Sequence, residues 1–177
     1  AALGNLIADA LRAATEADVA ITNGGGIRAD RLYPAGTVLL RRNVLEELPF
    51  GNKTVKLEVT GAQLLAALEN GFSQVEQGAG RFPQVSGLKV SVDLAKPAGS
   101  RVVAVEVGGA PLDPARTYTL ATNDFMARGG DGYAVLTQAR TLIDPAGAKL
   151  MATQVIDHIA AKGTVEARVE GRIVKAP

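Results

Sequence analysis

An alternating apolar pattern in the middle of the chain restricts its fold more than any other feature. Residues 88–94 and 103–107 carry leucine or valine at every second position, which is the period of a half-buried β-strand. The segment Lys96–Gly99 lies between them and predicts a turn, so the two strands form a hairpin. Because a hairpin interrupts the alternation of strands and helices, the sequence favours an α+β fold, with a mixed β-sheet packed by helices, over a purely parallel sheet.

Four segments carry helix signals, which are apolar residues at helical spacing or a capping residue at the start. They cover residues 3–16, 44–48, 61–71 (or 61–77) and 145–161. Asn43 is expected to cap the second segment, and Thr60 with Gln63 forms a capping box ahead of the third. Asp144 and Pro145 are expected to cap and open the fourth segment.

Further strands are predicted where short β-branched or alternating runs occur, at residues 18–22, 53–59, 117–122 and 165–174. Two of these strands are followed by glycine loops, Asn23–Gly26 and Arg128–Gly132. The chain has no internal repeat, low-complexity stretch or linker. Residues 1–177 are therefore predicted to form a single domain.

Composition excludes several classes of function. The chain has 19 Lys and Arg against 18 Asp and Glu, so it lacks the positive field that holds an extended nucleic acid. No run approaches the roughly 18 consecutive apolar residues of a membrane-spanning helix. The absence of cysteine and the single histidine exclude disulfide frameworks, cysteine zinc sites and thiol nucleophiles. Difficult chemistry would need a reactive centre from outside this chain.

Several chemically conspicuous residues are assigned structural roles. His158 lies within the last predicted helix, where a lone histidine is expected to be solvated or to cap. The pairs Arg41–Arg42 and Glu46–Glu47 are expected to form a solvated helical face. Phe72, in a helix, and Phe82, before a proline, are expected to be structural. The aspartates do not have the spacing of a metal site.

The first glycine loop, Asn23–Gly26, is a candidate anion site. Consecutive glycines can adopt positive φ and direct their N–H groups toward a bound group, although the loop matches no familiar phosphate fingerprint. Arg28, two residues beyond the last glycine, would add a bidentate contact to a phosphate or carboxylate. The alternative is a tight turn followed by a surface arginine.

Two phenylalanines and an aspartate lie in polar, loop-like stretches. Phe50 and Phe125, from separate loops, would sandwich a planar base; the alternative is that each ring caps the core. Asp131 is framed by Gly130 and Gly132, which leaves it little packing role. Its carboxylate would accept hydrogen bonds from the vicinal hydroxyls of a ribose, or it would form an Asx turn within the loop.

Taken in order along the chain, the motifs resemble the C-terminal domain of the 5′-nucleotidase and UDP-sugar hydrolase family. The resemblance covers about residues 3–174 and rests on five segments: Gly4–Ala10, Asn23–Arg28, Leu48–Asn52, the expected central turn Gly80–Gly87, and Phe125 with Gly129–Gly132. It implies a domain that binds the nucleoside part of the substrate and carries no cofactor itself. An N-terminal metallophosphatase domain, which is absent from this chain, would hold two divalent metal ions and the catalytic residues.

The resemblance also implies which residues bind the base. Phe50 and Phe125 would stack on its two faces. Asn23 and Asn52, with the backbone near Gly25, would contact its polar atoms. These five residues would form the nucleoside end of the site.

The remaining assignments implied by the resemblance concern the ribose and the phosphate. Asp131 would hold the ribose hydroxyls, and Arg28 would hold the phosphate and orient it toward the metal ions. Family members carry a further phosphate-binding arginine shortly before the segment that matches Gly4 and Asn5, so phosphate binding by this chain alone is expected to be weak. The isolated chain is expected to bind nucleosides weakly and to hydrolyse nothing.

The expected partners are therefore a nucleotide or nucleoside and the metallophosphatase domain, with no nucleic acid and no membrane segment. The resemblance implies a periplasmic or extracellular location. A second hypothesis is a stand-alone nucleoside-binding or regulatory module without catalysis. A third is a structural domain with decayed loops, for which adenosine would not change the thermal stability.

Overall fold

The computed structural model describes residues 1–177, which form two β-sheets and five α-helices. The strands are β1 (Val19–Asn23), β2 (Thr54–Thr60), β3 (Pro83–Ser86), β4 (Leu88–Val92), β5 (Val102–Val107), β6 (Ala110–Pro111), β7 (Thr117–Asn123), β8 (Arg140–Ile143) and β9 (Ile173–Lys175). The helices are α1 (Ala2–Thr15), α2 (Arg41–Glu47), α3 (Gly61–Gly71), α4 (Asp124–Ala127) and α5 (Met151–Lys162). None of them combines the length and the apolar character that crossing a bilayer requires.

The first sheet has five strands in the order β3-β1-β7-β2-β8, and the second has four in the order β6-β5-β4-β9. Both sheets are mixed, because β1 pairs in parallel with β7 and β4 with β9 while the other pairings are antiparallel. The chain passes from the first sheet to the second at Gly87, between β3 and β4. This architecture confirms the predicted α+β class, and the predicted hairpin is formed by β4 and β5.

Two hydrophobic cores cover the two faces of the first sheet. Strand alternation sends Val19 and Ile21 to one core and Ala20 to the other. The larger core joins the first sheet to the second sheet and to α3, which contributes Leu64 and Leu68. The smaller core packs the opposite face of the first sheet against α1 and α5. The candidate loops lie at one end of the first sheet, where β1 and β7 both terminate.

The starts of two helices test the capping predictions. At α3 the Gln63 N–H donates to Thr60 Oγ1 at 3.1 Å and the Thr60 N–H donates to Gln63 Oε1 at 3.0 Å, which confirms the capping box. The prediction that Asn43 caps a helix from residue 44 is wrong. The helix already begins at Arg41, and Asn43 Oδ1 accepts the Leu40 N–H at 2.9 Å from inside the first turn.

The last helix and the last strand are shorter than predicted. α5 begins at Met151, because Asp144 closes a separate turn by accepting the Gly147 N–H at 3.0 Å. Of the predicted strand 165–174, only the end pairs with the sheet, as β9. Strands β3, β6 and β8 lie outside the predictions, and β3 occupies the segment expected to be the central turn. Each has four residues or fewer, too few for an alternating pattern to stand out.

Burial bears out one structural assignment and corrects another. Phe72 is buried and meets Phe82 edge to face, with ring centroids 5.5 Å apart, which confirms the structural role predicted for both. Glu47 is not part of a solvated helical face, because only 4% of it is exposed. Its carboxylate accepts hydrogen bonds from the Tyr33 hydroxyl at 2.8 Å and the Ala29 N–H at 3.2 Å.

An ion pair fastens the C-terminal segment to α1. The Arg172 guanidinium donates to the two carboxylate oxygens of Asp9 at 2.7 and 2.8 Å and to the Val85 carbonyl at 2.8 Å. Burial alone would raise the pKa of Asp9, but hydrogen bonds from Arg172 and Ser86 outweigh it and lower this pKa below its ordinary value. The pair therefore connects the segment leading to β9 with α1 and β3.

We expect Arg172→Ala to lower the free energy of unfolding by about 1–3 kcal/mol, because it removes charge-assisted hydrogen bonds from a half-buried carboxylate. Arg168→Ala is the matched control, since the Arg168–Glu166 pair is exposed and should leave stability nearly unchanged. A lowered pKa of Asp9 means that the pair stabilises the fold above the ordinary aspartate pKa and loses this effect as pH falls through the lowered value. Denaturant unfolding at about pH 7 and about pH 2 measures the difference between wild type and variant; a difference that does not shrink in acid contradicts the ion-pair explanation.

Candidate functional site

Three loops meet at one end of the first sheet. β1 ends at Asn23 and β7 ends at Asn123, and because these strands are parallel both ends point the same way. β2 runs antiparallel to β7 with Thr54 opposite Asn123, so the loop that enters β2 lies at this end as well. The topology therefore places side by side the three loops that carry the candidate residues.

A pair of hydrogen bonds joins the loop before β2 to the turn after β7. The Lys53 N–H donates to Asp124 Oδ1 at 3.0 Å, and the Asp124 N–H donates to the Lys53 carbonyl at 3.0 Å. Lys53 follows the loop of Phe50, and Asp124 directly precedes Phe125. The two aromatic residues are thus carried on connected segments.

Phe50 and Phe125 both present ring surface to solvent, with 59% and 36% of the residue exposed. The short helix α4 explains the second value, because it buries Met126 completely and turns Phe125 outward. Gly130 lies directly against the Phe125 ring, and a Cβ at Gly130 would come within 2.6 Å of it. These exposures do not fit the alternative in which each ring caps the core.

A buried amide network supports the second glycine loop. Asn23 Nδ2 donates to Asp131 Oδ2 at 2.7 Å, and Asn123 Nδ2 donates to Asn23 Oδ1 at 2.9 Å. Asn123 also accepts the Met126 N–H at 2.8 Å and so caps α4. The network therefore connects the Asp131 carboxylate to the turn that carries the second exposed aromatic ring.

Asp131 is held in a left-handed backbone conformation, with φ 54°, which is uncommon for a residue other than glycine. Its carbonyl accepts from Asn70 Nδ2 at 3.0 Å, and nearby Tyr133 is fully buried with its hydroxyl donating to the Arg81 carbonyl at 2.6 Å. No Asx turn forms, because the Tyr133 N–H that it would use donates to the Gly130 carbonyl at 3.2 Å, while the carboxylate binds Asn23 through Oδ2. Oδ1 of Asp131 has no hydrogen-bond partner within the chain.

Four supporting residues lie outside the sequence-based candidates: Asn70, Arg81, Asn123 and Tyr133. Asn123 had a local signal, because it stands between a strand and a helical turn where an N-cap residue is favoured. Asn70 had none, since the carbonyl it binds is 61 residues away in the sequence. Burial raises the pKa of Tyr133 above its ordinary value, so its hydroxyl keeps its proton and holds the loop.

Close packing requires a glycine at position 25. Its N–H donates to the Gly80 carbonyl at 2.9 Å. A Cβ at Gly25 would lie 2.7 Å from the Gly80 Cα, so any larger residue would push the two segments apart. The first glycine loop is a 3₁₀ turn over Gly24–Gly26, and none of its glycines has positive φ. Because the Gly24 and Gly25 N–H groups donate to the Phe82 and Gly80 carbonyls, the prediction that these two amides point toward a bound anion is wrong.

The side chains of Arg28 and Asn52 make no hydrogen bond or ion pair within the protein. The Arg28 guanidinium lies 5.8 Å from the centroid of the Phe50 ring and pairs with no carboxylate. Asn52 uses only its backbone, whose carbonyl accepts the Met151 N–H at 2.9 Å. An unpaired guanidinium beside an aromatic face is suited to an anionic group attached to a planar ring.

A cleft of about 270 Å³ opens beside Phe50. Thr22, Asn52 and Asn123 provide polar groups in its lining. Its apolar lining comes from α2, α5 and the residues that flank them: Leu45, Leu48, Leu150 and Met151. Of the seven candidate residues only Phe50 and Asn52 line this cleft, while Asn23, Gly25, Arg28, Phe125 and Asp131 lie outside its lining. The volume is close to the lower limit of small-molecule sites, about 300 Å³.

The residues of this chain do not fit a metal site. No three His, Asp or Glu side chains come close enough together to share an ion. His158 is half-buried rather than solvated, and its Nε2 atom is buried without a partner. Burial and then the charge of Lys162 lower the pKa of His158, against the opposing charge of Asp9. The two metal ions implied by the resemblance remain a prediction about another domain.

Comparison with known families agrees with this architecture. The family model of the 5′-nucleotidase C-terminal domain matches residues 1–138. The chain therefore belongs to the 5′-nucleotidase C-terminal domain family. This confirms the resemblance identified from the sequence motifs.

Individual relatives give the same result. The chain is 44% identical over 146 residues to the trifunctional nucleotide phosphoesterase protein YfkN of Bacillus subtilis, covering 77% of this chain and 10% of that protein. It is 33% identical over 190 residues to a 5′-nucleotidase of Diplobatis ommata, covering 97% of this chain and 33% of that protein. A crystal structure of a 5′-nucleotidase precursor from Thermus thermophilus superposes with a TM-score of 0.88 at 45% identity, over 98% of this chain and 35% of the other. This chain thus spans about a third or less of the length of these relatives.

Proposed function

We propose that this chain is the substrate-specificity domain of a metal-dependent 5′-nucleotidase, an enzyme that hydrolyses nucleoside 5′-phosphates to nucleoside and phosphate. Membership of the family and the nucleotide-processing relatives support the proposal. The observation that carries it is the arrangement at the end of the first sheet. Two exposed aromatic rings, an unpaired arginine and an aspartate with a free carboxylate oxygen lie there, on neighbouring loops and the short helix α4.

The base would be bound by the aromatic loops. Phe50 and Phe125 would stack on its two faces, with each ring contributing about 1–3 kcal/mol. Asn52, whose side chain has no protein partner, would contact the polar edge of the base together with the backbone near Gly25. The Asn23 amide is already engaged with Asp131, so its part in recognition is to fix that carboxylate and offer its remaining N–H.

The ribose and the phosphate would be bound by the two charged candidates. Asp131 Oδ1 would accept hydrogen bonds from the ribose hydroxyls while Oδ2 stays on Asn23. Arg28 would bind the phosphate beside the Phe50 ring. This chain would contribute proximity and orientation, whereas metal ions on an N-terminal metallophosphatase domain would supply the activated water. The family resemblance further suggests a periplasmic or extracellular protein.

We expect the purified chain to bind adenosine and to release no phosphate from AMP, with or without added divalent ions. The physical reason is that the binding residues are present while no cluster of metal ligands exists in the chain. Calorimetric titration, the shift in melting temperature with adenosine and a phosphate-release assay measure the three quantities. Ribose 5-phosphate is the matched control, because it lacks the base and should bind far more weakly.

Two results would contradict parts of this proposal separately. Metal-dependent hydrolysis of AMP by this chain would contradict the division of labour between two domains. Absence of any adenosine effect on heat or melting temperature would contradict nucleoside binding and favour a structural domain with decayed loops.

A further inference from the structure

The hydrogen bonds of the loop that carries Arg28 converge on one buried residue, Glu47. Residues 28–39 contain no helix or strand. Apart from an exposed ion pair between Arg31 and Glu46, every hydrogen bond that leaves this segment ends on Glu47. The Arg28 N–H donates to the Glu47 carbonyl at 3.0 Å. The Ala29 N–H donates to Oε2 of the carboxylate at 3.2 Å and the Tyr33 hydroxyl donates to Oε1 at 2.8 Å.

The burial of the Glu47 carboxylate is costly and calls for a role. Glu47 is 4% exposed, and no Lys, Arg or His nitrogen lies within 4.0 Å of it. The adjacent Glu46 avoids this desolvation cost, because its carboxylate stays exposed and pairs with Arg31 at 2.8 Å. Within the loop Asp30 adopts a φ of 48°, which is strained for a residue with a side chain. The buried carboxylate and the strained backbone of Asp30 both occur where the chain leaves Arg28.

The same helix end sets the positions of the arginine and of its aromatic neighbour. Glu47 is the last residue of α2, and Phe50 follows it by three positions. The Arg28 guanidinium lies 5.8 Å from the centroid of the Phe50 ring. Burial and the hydrogen bond to Glu47 raise the pKa of Tyr33 to about 12, so the hydroxyl remains a donor throughout the neutral pH range.

We propose that Glu47, with Tyr33, is a positioning residue for phosphate recognition, because it holds the loop so that the Arg28 guanidinium stands beside Phe50. The inference rests on the proposed function, in which Arg28 meets the phosphate of a nucleotide whose base lies at Phe50. Glu47 would not touch the ligand. Its effect would be confined to the phosphate contact and would leave the nucleoside contacts in place.

The ratio of the affinities for AMP and adenosine reports the phosphate contact. We expect wild type to bind AMP about tenfold more tightly than adenosine, the value of one charge-assisted contact. Glu47→Ala removes the two hydrogen bonds that the carboxylate accepts from the loop, those of the Ala29 N–H and the Tyr33 hydroxyl. This loss should bring the ratio close to one. Tyr33→Phe removes one anchor and should reduce the ratio about threefold. Adenosine affinity should stay nearly constant in both variants.

Two further variants distinguish positioning from a general effect on the fold. Glu47→Gln can still accept the Ala29 N–H and donate to the Tyr33 oxygen, so it should keep the ratio within about twofold of wild type. In an Arg28→Ala chain the ratio is already reduced, and adding Glu47→Ala should change it no further, because Glu47 acts through Arg28. If Glu47→Ala does not fold, Tyr33→Phe alone and with Arg28→Ala makes the same comparison.

The outcomes separate this inference from the proposed function. A wild-type chain that does not bind adenosine contradicts the proposed function. With adenosine binding intact, an unchanged ratio in Glu47→Ala and Tyr33→Phe overturns the role of Glu47 alone. Equal binding of AMP and adenosine by wild type, or a further reduction of the ratio on the Arg28→Ala background, also overturns it.

Discussion

Replacing both Phe50 and Phe125 by alanine should weaken adenosine binding about hundredfold or more while changing the unliganded fold little. Each stacked ring contributes about 1–3 kcal/mol, so the two together account for several kcal/mol of binding free energy. Both rings present surface to solvent, so their removal takes little from the core. Calorimetric titration of the double variant with adenosine measures the loss, and its melting temperature without ligand is the control for folding.

Conservative replacements at the same two positions distinguish stacking from burial of apolar surface. Tyrosine keeps the flat ring and should preserve most of the affinity. Leucine keeps apolar surface but not the flat face, and it should lose most of the affinity. Phe125 variants should show a small drop in melting temperature, because this ring packs against Gly130. Unchanged adenosine affinity in the double alanine variant would contradict the sandwich, and full affinity in the leucine variants would contradict stacking as its cause.

The sequence predicts those elements of the fold that have a strong local pattern. The hairpin of β4 and β5 follows from strict alternation, and the start of α3 follows from the capping box of Thr60 and Gln63. Strands β3 and β8 have no such pattern, because four residues span only two alternations and their pairing is decided by distant partners. β3, for example, places Val85 opposite Ile21 in the first sheet. The start of α5 could not be predicted either, because Asp144 and Pro145 fit a separate turn as well as a helix cap.

In the candidate site, too, features with a local sequence signal could be predicted and contacts between distant residues could not. The polar neighbours of Phe50 and Phe125 predict loops; Phe50 does lie in a turn, whereas Phe125 lies in the short helix α4, and both residues are exposed. The contacts of Asn23 could not be predicted, because its partners Asn123 and Asp131 are 100 and 108 residues away in sequence. Because Glu47 stands beside another glutamate, the sequence predicts that it is solvated. Its burial depends on contacts with Ala29 and Tyr33, which lie 18 and 14 residues upstream in an irregular loop.

A large loss of stability should follow from Asn123→Ala, a substitution in the middle of the amide network. Asn123 is 1% exposed, donates to Asn23 and Thr22, and accepts the Met126 N–H. Leaving these buried groups without partners should lower the free energy of unfolding by about 3 kcal/mol or more. For a chain of this length the melting temperature should then fall by about 6–12 °C.

Asn52→Ala is the matched control, because Asn52 lines the same cleft as Asn123 and its side chain makes no hydrogen bond in the chain. It should leave the melting temperature unchanged and reduce adenosine affinity through the lost contact with the base. Asn123→Ala should reduce both quantities, because it also releases Asn23 from its place beside Asp131 and uncaps the turn of Phe125. Thermal unfolding and adenosine titration of the two variants side by side measure this contrast. Equal melting temperatures would contradict the supporting role of the network, since a buried amide with three partners cannot be removed at the same cost as an unpartnered one.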